Sequence, residues 1–83
     1  MYYIYILKDI KNKLYIGYSS NLKRRIQEHN AGKVYTTKRM NEPKLIYYEA
    51  YAFEILAKTR ERKLKQFGSS YKGLVKRLGL IGP

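Results

Sequence analysis

The sequence predicts one small α+β domain whose elements follow the order β-β-α-β-α-α. The chain has 83 residues, which is the size of a single domain. Hydrophobic residues make up 45% of it and ten residues are tyrosines, a composition that favours a folded domain over a disordered basic tail. Along the chain, the spacing of apolar residues alternates between that of strands and that of helices. Because no repeat, linker or low-complexity tract interrupts this order, we expect a single domain over residues 1–83.

Two aromatic and β-branched segments at the start of the chain predict a β-hairpin. Residues 2–7 and residues 14–18 are rich in tyrosine, isoleucine and leucine, a composition typical of strands. The stretch between them, residues 8–13, is polar and contains an aspartate and an asparagine that favour turns. Side chains alternate between the two faces of a strand. Two sets of residues therefore each share a face: Tyr3, Tyr5 and Leu7 on one strand, and Tyr15 and Gly17 on the other.

A short helix and a loop are predicted after the hairpin. Residues 19–21, Ser-Ser-Asn, offer side chains that cap the N-terminus of a helix. Leu22 and Ile26 are four residues apart and are expected to face the core, and Gly32 is expected to end the helix. Residues 33–42 are polar and basic and are followed by a proline, so we expect a loop there.

A third strand and two helices complete the predicted order. The strand covers residues 45–51, and the first helix covers about residues 53–67, with Gly68 ending it. The serines at 69–70 are expected to cap the last helix, and Gly82-Pro83 to end the chain. The apolar residues at helical spacing are Phe53, Leu56, Ala57, Leu64 and Phe67 in the first helix, and Tyr71, Leu74, Val75 and Leu78 in the second.

The charge of the chain restricts its partners. Eighteen lysines and arginines oppose six aspartates and glutamates, which gives a formal net charge of +12 at pH 7. This charge exceeds the magnitude of about 2–8 that suits the solubility of a small domain, and it attracts polyanions. Nucleic acid is the most abundant polyanion, so we expect a nucleic-acid partner. An anionic membrane surface and packing within a ribosome are the alternatives that the charge alone leaves open.

The residue types and motifs that the sequence lacks exclude several classes of function. Without cysteine, the chain cannot form disulfides, cysteine-ligated zinc sites or a catalytic thiol. It has no glycine-rich phosphate loop and no paired-carboxylate motif. No apolar run approaches the roughly 18–20 residues needed to cross a membrane, and Met1 opens into a strand-like segment rather than a signal peptide. We therefore expect a cytoplasmic protein with no membrane partner, and a monomer by default.

The hairpin and the first helix carry polar residues that could perform chemistry. The hairpin has a cluster of tyrosines, although tyrosine is also typical of half-buried strands, where its role is structural. Arg25 and His29 lie one helical turn apart, and Arg25 borders the buried stripe, where a guanidinium can hold a phosphate. The alternatives are an Arg25 whose stem lies along apolar surface and a His29 that bonds the last carbonyls of the helix.

Glu61 is a third candidate for chemistry. It is the only acid between Ile55 and the C-terminus, and over residues 58–77 it stands among eight lysines and arginines. At the flank of the apolar stripe, such a carboxylate stays ionised and can hold a hard divalent cation. The alternative is a surface ion pair with Lys58 or Lys65, one helical turn away.

Five short motifs, in this order and spacing, resemble those of the GIY-YIG nuclease domain. They are Tyr3-Ile4-Tyr5, then Tyr15-Ile16-Gly17 after a nine-residue gap, Asn21-Leu22-x-x-Arg25, His29-Asn30, and Arg60-Glu61-x-x-Leu64-Lys65. The resemblance extends from Tyr2 to Leu78, in particular to small bacterial single-domain members related to the N-terminal nuclease module of the UvrC repair protein. Two departures are visible. Tyr3 stands where the motif begins with glycine, and no asparagine follows Asn41, whereas larger members carry a C-terminal asparagine in the site.

The resemblance implies a three-stranded antiparallel sheet flanked by helices, and it assigns a role to each candidate. Tyr5 and Tyr15 would lie beside the attacking water, one of them as its general base. Arg25 would contact the scissile phosphate, His29 would line the site, and Glu61 would bind Mg²⁺ or Mn²⁺. A tyrosine is a poor base at its ordinary pKa of about 10, so we expect nearby cations to lower that pKa.

Together these inferences predict a metal-dependent endonuclease that hydrolyses DNA phosphodiester bonds, with a place in DNA repair or recombination. The alternative is a non-catalytic module of the same fold that binds DNA or RNA. The basic residues expected to contact nucleic acid are Lys23, Arg24, Lys33, Lys38, Arg39, Arg62 and Lys65.

Overall fold

The computed structural model describes residues 1–80 and confirms the predicted order of elements. The strands are β1 (Tyr2–Lys8), β2 (Leu14–Ser19) and β3 (Lys44–Tyr51), and the helices are α1 (Leu22–Asn30), α2 (Glu54–Lys65) and α3 (Ser69–Arg77). The loop predicted between α1 and β3 contains one short 3-10 helix, Thr37–Arg39. The predicted chain end at Gly82-Pro83 lies outside the described residues. Across residues 1–80, no helix has the length and apolar composition that a membrane crossing requires.

The three strands form one antiparallel sheet in the order β2-β1-β3, with β1 in the centre. Tyr5 of β1 lies opposite Gly17 of β2 and Tyr48 of β3, and Leu7 lies opposite Tyr15. Because directly opposed residues point to the same side of a sheet, the face predicted from the alternation of side chains is confirmed. We call it the tyrosine face, and it carries Tyr3, Tyr5, Leu7, Tyr15 and Gly17.

The opposite side, which we call the apolar face, holds the main hydrophobic core and is defined by Ile4, Ile6 and Ile16. Helix α2 packs on β1 and β2, and α3 packs on α2. Ala57 and Leu64 are two helical turns apart in α2, so both point at the sheet. The core cluster of buried residues consists of Ile4, Ile6, Ile16, Ala57, Leu64 and Leu74.

Helix α1 lies over the tyrosine face. Its N-terminus is capped within the predicted Ser-Ser-Asn segment, because the Asn21 side chain accepts a hydrogen bond from the next turn of the backbone at 3.1 Å. Leu22 and Ile26 are half-buried and line a cleft together with residues of the tyrosine face. The fully buried residue of α1 is His29. The helix therefore places a buried polar ring as well as two half-buried aliphatic side chains toward this face.

Helix α2 is shorter at both ends than predicted, and its buried stripe is narrower. Of the apolar residues predicted to form that stripe, Ala57 and Leu64 are buried. Phe53 and Phe67 lie just outside the two ends of the helix and expose 66% and 58% of their surface. Their spacing matches the predicted stripe, but the helix begins after Phe53 and ends before Phe67.

The junction between α2 and α3 places a bulky residue where a glycine was expected. Phe67 has a φ of 56°, in the left-handed region that favours glycine. Gly68 has a φ of −90° and is the N-cap of α3 instead. Ser69 and Ser70 are the first two residues of α3 rather than its caps, and no side chain caps this helix.

Candidate active site on the tyrosine face

Tyr5 is fully buried at the centre of the tyrosine face, and its position depends on Gly17. The Tyr5 ring crosses Gly17 on the neighbouring strand, where a Cβ atom would overlap the ring and the hydroxyl. Glycine is therefore required here for space rather than for an unusual backbone conformation. A glycine inside a strand signals a close approach of this kind, so the sequence held a signal for this contact that we did not use.

A chain of buried hydrogen bonds begins at the Tyr5 hydroxyl. Tyr5 Oη lies 2.7 Å from His29 Nε2, and His29 Nδ1 lies 2.6 Å from Thr37 Oγ1. The Thr37 hydroxyl in turn donates to the carbonyl of Val34 at 3.5 Å. Thr37 is buried in the 3-10 helix, within the stretch that was predicted to be a loop. A threonine in a polar loop carries no sequence signal for this role.

The hydrogen-bond chain assigns the proton positions on His29. Since the Thr37 hydroxyl donates to Val34, it accepts from the Nδ1–H of His29, which leaves Nε2 to accept from Tyr5. Burial, and after it the charge of Arg25, lower the pKa of His29. The imidazole is therefore neutral at pH 7, and the lone pair on its Nε2 accepts the hydrogen bond from the Tyr5 hydroxyl.

Tyr5 and Tyr15 differ in exposure. The two rings lie 6.2 Å apart, and the Tyr15 ring meets His29 edge-on at 5.3 Å between centroids. Burial raises the pKa of Tyr5 to about 12, and the nearby Arg25 only partly opposes this. The expectation that cations would lower this pKa is wrong for Tyr5, because burial outweighs them. Tyr15 is only half-buried, so it is the tyrosine that solvent can reach.

Arg25 adds a fixed positive charge beside Tyr5. Its Nη1 donates to the Glu28 carboxylate at 3.1 Å, and its side chain is 34% exposed. The Nε of Arg25 is buried and has no hydrogen-bond partner within residues 1–80. Tyr5 and Glu28 raise the pKa of Arg25, so it stays charged at any ordinary pH. The exposed part of the guanidinium is therefore the part that a phosphate could contact.

Within residues 1–80, Glu61 makes no hydrogen bond or ion pair with the other four predicted catalytic residues. Its carboxylate accepts from Lys65 Nζ at 3.1 Å, one turn further along α2, which is one of the two ion pairs considered as the alternative. The Glu61 side chain is 23% exposed. Its charge still reaches the tyrosine face, where it adds a minor contribution, after burial, to the raised pKa of Tyr5.

In the part of the chain that the structure describes, the two carboxylates at the candidate site are both in ion pairs, Glu28 with Arg25 and Glu61 with Lys65. Residues 1–80 contain no group of three or more His, Cys, Asp or Glu side chains placed to enclose a metal ion. Mg²⁺ commonly keeps several waters and takes one or two carboxylates together with phosphate oxygens of a substrate. A single, partly exposed Glu61 fits a cation of this kind, and it does not fit a metal held by protein ligands alone.

The basic residues expected to contact nucleic acid are all exposed, but they differ in their surroundings. Lys38 and Arg39 each lie 5.1 Å from the ring centroid of Tyr35, and Arg39 also donates to the Tyr35 hydroxyl at 2.9 Å. Lys65 is paired with Glu61. The others are Lys23, Arg24, Lys33 and Arg62. Their roles toward nucleic acid stay predictions.

A polar cluster on the apolar side of the sheet was missed by sequence reasoning. Arg60 Nε and Nη2 donate to the two carboxylate oxygens of Glu49 at 3.0 and 3.2 Å. The hydroxyls of Tyr47 and Tyr51 donate to the same carboxylate. Burial opposes ionisation of Glu49, but these donors outweigh it and lower its pKa. The Glu49–Arg60 ion pair joins β3 to α2 at the residue before Glu61. It therefore fixes the rotation of α2, the helix that carries Glu61.

The chain is similar in sequence to a known domain family and to several other proteins, and similar in structure to a solved protein. Residues 1–75 match the model of the GIY-YIG catalytic domain. The chain is 39% identical over 72 residues to the UPF0213 protein of Staphylococcus haemolyticus, covering 86% of this chain and 88% of that protein. It is 33% identical over 67 residues to a UPF0213 protein of Haloquadratum walsbyi, with 80% and 75% covered. The solution NMR structure of the UPF0213 protein from Bacillus halodurans is similar, with a TM-score of 0.58, 28% identity, and 94% of this chain and 85% of that chain covered.

Proposed function

The chain belongs to the GIY-YIG catalytic domain family, a family of nucleases, and on this premise we propose that it is a metal-dependent endonuclease that hydrolyses DNA phosphodiester bonds. The observation that carries the proposal is the guanidinium of Arg25, which is 34% exposed, is held by Glu28 and lies beside Tyr5 on the tyrosine face. A guanidinium that a carboxylate orients on one side presents its exposed N–H groups to a phosphate oxygen.

In the proposed reaction, Arg25 binds the scissile phosphate. Its Nη1 is held by Glu28, which orients the guanidinium and leaves the exposed part of this group for a phosphate oxygen. A fixed cation at this point opposes the charge that accumulates on the phosphoryl oxygens in the transition state. Because the same contact exists in the bound substrate, Arg25 contributes to binding as well as to turnover.

The two tyrosines have different roles in this proposal. Tyr15 is half-exposed and contacts the attacking water, whereas Tyr5 is enclosed and has a pKa of about 12. Tyr5 therefore stays protonated and donates a hydrogen bond to the neutral His29. This hydrogen bond holds both rings in place. When bound, a divalent cation held by Glu61 would supply Lewis-acid charge to the phosphate and the leaving oxygen. Activation of water then falls to Tyr15.

The proposal is tested with the purified chain and plasmid, branched and single-stranded DNA, in Mg²⁺, in Mn²⁺ and in EDTA. We expect cleavage that requires the cation and depends steeply on salt, since contacts are mainly to phosphate. The alternative function, a non-catalytic nucleic-acid-binding module, is favoured by the Glu61–Lys65 ion pair, which leaves the carboxylate neutralised. Binding without cleavage under every one of these conditions would establish that alternative.

Two substitutions separate turnover from binding. Glu61→Ala is expected to abolish cleavage and to leave DNA binding unchanged or tighter, because it removes a negative charge near the phosphate. Arg25→Ala is expected to weaken both binding and turnover. The matched control is Glu54→Ala, which removes an exposed carboxylate from the first turn of the same helix. Cleavage rates and equilibrium binding are measured in saturating Mg²⁺, and a Glu61→Ala variant that cuts as fast as the parent would disprove the metal role of Glu61.

A further inference from the structure

A cleft of about 480 Å³ opens beside Tyr15, between the edge of β2, the residues that precede the 3-10 helix, and the α2–α3 junction. Three aromatic rings line it, those of Tyr15, Phe67 and Tyr71, and Lys65 is its one charged lining residue within the described part of the chain. The cleft thus presents mainly flat apolar surfaces, and its lysine is paired with Glu61. It shares Tyr15 with the candidate active site, so the two are continuous.

Phe67 carries two unfavourable features that the free protein does not explain. Its φ of 56° is an outlier for a bulky side chain, and its ring is 58% exposed. The next residue is Gly68, which adopts such a φ at no steric cost, yet Gly68 has a φ of −90°. The Phe67 ring packs edge-on against Tyr71, with centroids 4.9 Å apart, which fixes its orientation. The fold therefore holds an aromatic ring at the solvent side of the cleft at a local cost.

We propose that this cleft binds an unpaired nucleobase of the substrate strand, stacked on Phe67 next to the phosphate that is cut. This inference rests on the proposed function, because it takes the neighbouring tyrosine face to be the reaction site. The occupant is a nucleobase because aromatic rings stack on any base. Because Lys65 is paired with Glu61, stacking rather than charge is the basis of this assignment. A base within an intact duplex is already stacked and paired, so it cannot enter. The substrate is accordingly DNA that is single-stranded at the cleaved position.

The test is a binding measurement without metal, so that no cleavage interferes. The probe is a single strand of about 12 nucleotides that contains the fluorescent base 2-aminopurine, compared with the blunt duplex of the same sequence in EDTA. We expect the parent to bind the single strand more tightly and to quench the 2-aminopurine fluorescence. Phe67→Gly should weaken single-strand binding by roughly 5- to 150-fold and abolish the quenching, because stacking contributes about 1–3 kcal/mol per base.

Matched variants separate stacking from folding. Glycine suits the left-handed conformation at this position, so Phe67→Gly is expected to fold as well as the parent, with circular dichroism as the check. Phe67→Trp keeps a ring and should retain single-strand binding. Phe53→Gly makes the same substitution at an equally exposed phenylalanine at the other end of α2 and should have no effect. Equal losses for Phe53→Gly and Phe67→Gly, or equal losses on duplex and single strand, would overturn the subsite.

The outcomes for the subsite and for the proposed function are distinguishable. A folded Phe67→Gly that binds the single strand like the parent disproves the subsite, whether or not the parent cuts DNA. If the parent cuts no DNA in either metal but loses single-strand binding with Phe67→Gly, the subsite stands and the nuclease proposal fails.

Discussion

The two faces of the sheet use alternate residues of the same strands, yet they are closed in different ways. On the apolar face, Ile4, Ile6 and Ile16 are buried against aliphatic side chains of α2 and α3. On the tyrosine face, the buried groups are Leu7, the Tyr5 ring and the polar side chains of His29 and Thr37, and hydrogen bonds join the last three. The buried core of one face is thus held by apolar packing, whereas that of the other also depends on hydrogen bonds that need a defined geometry.

This difference separates stability from function. Burial of apolar surface contributes about 25 cal/mol per Å² and tolerates small rearrangements. A hydrogen bond contributes on the order of 0.5–1.5 kcal/mol net, but a buried polar group that loses its partner costs more than that. The apolar face should therefore set the stability of the domain, while the tyrosine face should set its activity. Substitutions on the two faces test this division.

The largest effect on stability is expected from Leu64→Ala on the apolar face. Leu64 is fully buried in the core cluster, and truncation of such a leucine costs about 2–5 kcal/mol of the free energy of unfolding. Urea unfolding followed by circular dichroism measures the change. At a temperature where the variant is folded, its DNA cleavage should equal that of the parent, because the Leu64 side chain packs in the core cluster of the apolar face rather than on the tyrosine face.

Leu56→Ala is the control for this change, since Leu56 lies on the same helix but is 49% exposed. Leu56→Ala should lower the free energy of unfolding by much less than Leu64→Ala does. Similar losses for the two variants would show that burial on the apolar face is not what stabilises α2. Loss of cleavage by a folded Leu64→Ala would break the division between the faces.

A smaller loss of stability, with a larger loss of activity, is expected from Gly17→Ala on the tyrosine face. The added Cβ overlaps the Tyr5 ring, so the ring must move and its hydrogen bond to His29 is strained. Overpacking of this kind costs about 1–3 kcal/mol of unfolding free energy. Cleavage should fall even where the variant is folded, because Tyr15 and His29 lose their buried neighbour.

Gly73→Ala and a double variant test the cause of that loss. Gly73 is a glycine inside α3 with no atom near its missing Cβ, so alanine there should stabilise the domain by about 0.5–1 kcal/mol. In a Tyr5→Ala background, Gly17→Ala should cost much less than it does alone, since the overlap is gone. Additive losses would mean that the Tyr5 ring is not what makes glycine necessary at this position.

Much of this architecture could be predicted from the sequence, because it depends on local spacing. The alternation of side chains in residues 2–7 and 14–18 predicted which tyrosines share a face, and the register confirms it. Asn21 was predicted as a helix cap and acts as one. The ordered motifs singled out Tyr5, Tyr15, Arg25 and His29, which the fold brings to one face.

What could not be predicted depends on contacts between distant segments. Thr37 meets His29 only because the 3-10 helix folds back on α1, and Glu49 meets Arg60 across two elements. The raised pKa of Tyr5 follows from its burial, whereas the sequence displayed only the neighbouring positive charges. The left-handed Phe67 ahead of a glycine contradicts the local preference of both residues, so local preference could not predict it.

The smallest expected effect is a pH dependence of stability that comes from the tyrosine face alone. Burial and then Arg25 lower the pKa of His29 in the folded protein, while its pKa in the unfolded chain is about 6.5. Below that pH the unfolded chain binds more protons than the folded protein does. The free energy of unfolding should therefore be constant above pH 6.5, decline as the pH falls below it, and level off below the folded pKa of His29.

The measurement is urea unfolding between about pH 5 and pH 8, with His29→Gln beside the parent. The pKa values of Asp9 and Glu49 are also lowered in the folded protein, although burial opposes this, because hydrogen bonds stabilise both carboxylates. The stability that these two carboxylates contribute is lost only as the pH falls into the acidic range where they take up protons. It therefore changes little above pH 5. His29→Gln should remove the decline, because glutamine does not titrate, whereas Leu64→Ala should keep it at a lower overall stability. A parent whose stability is constant across this range, or rises on acidification, would show that His29 is not held as a neutral acceptor for Tyr5.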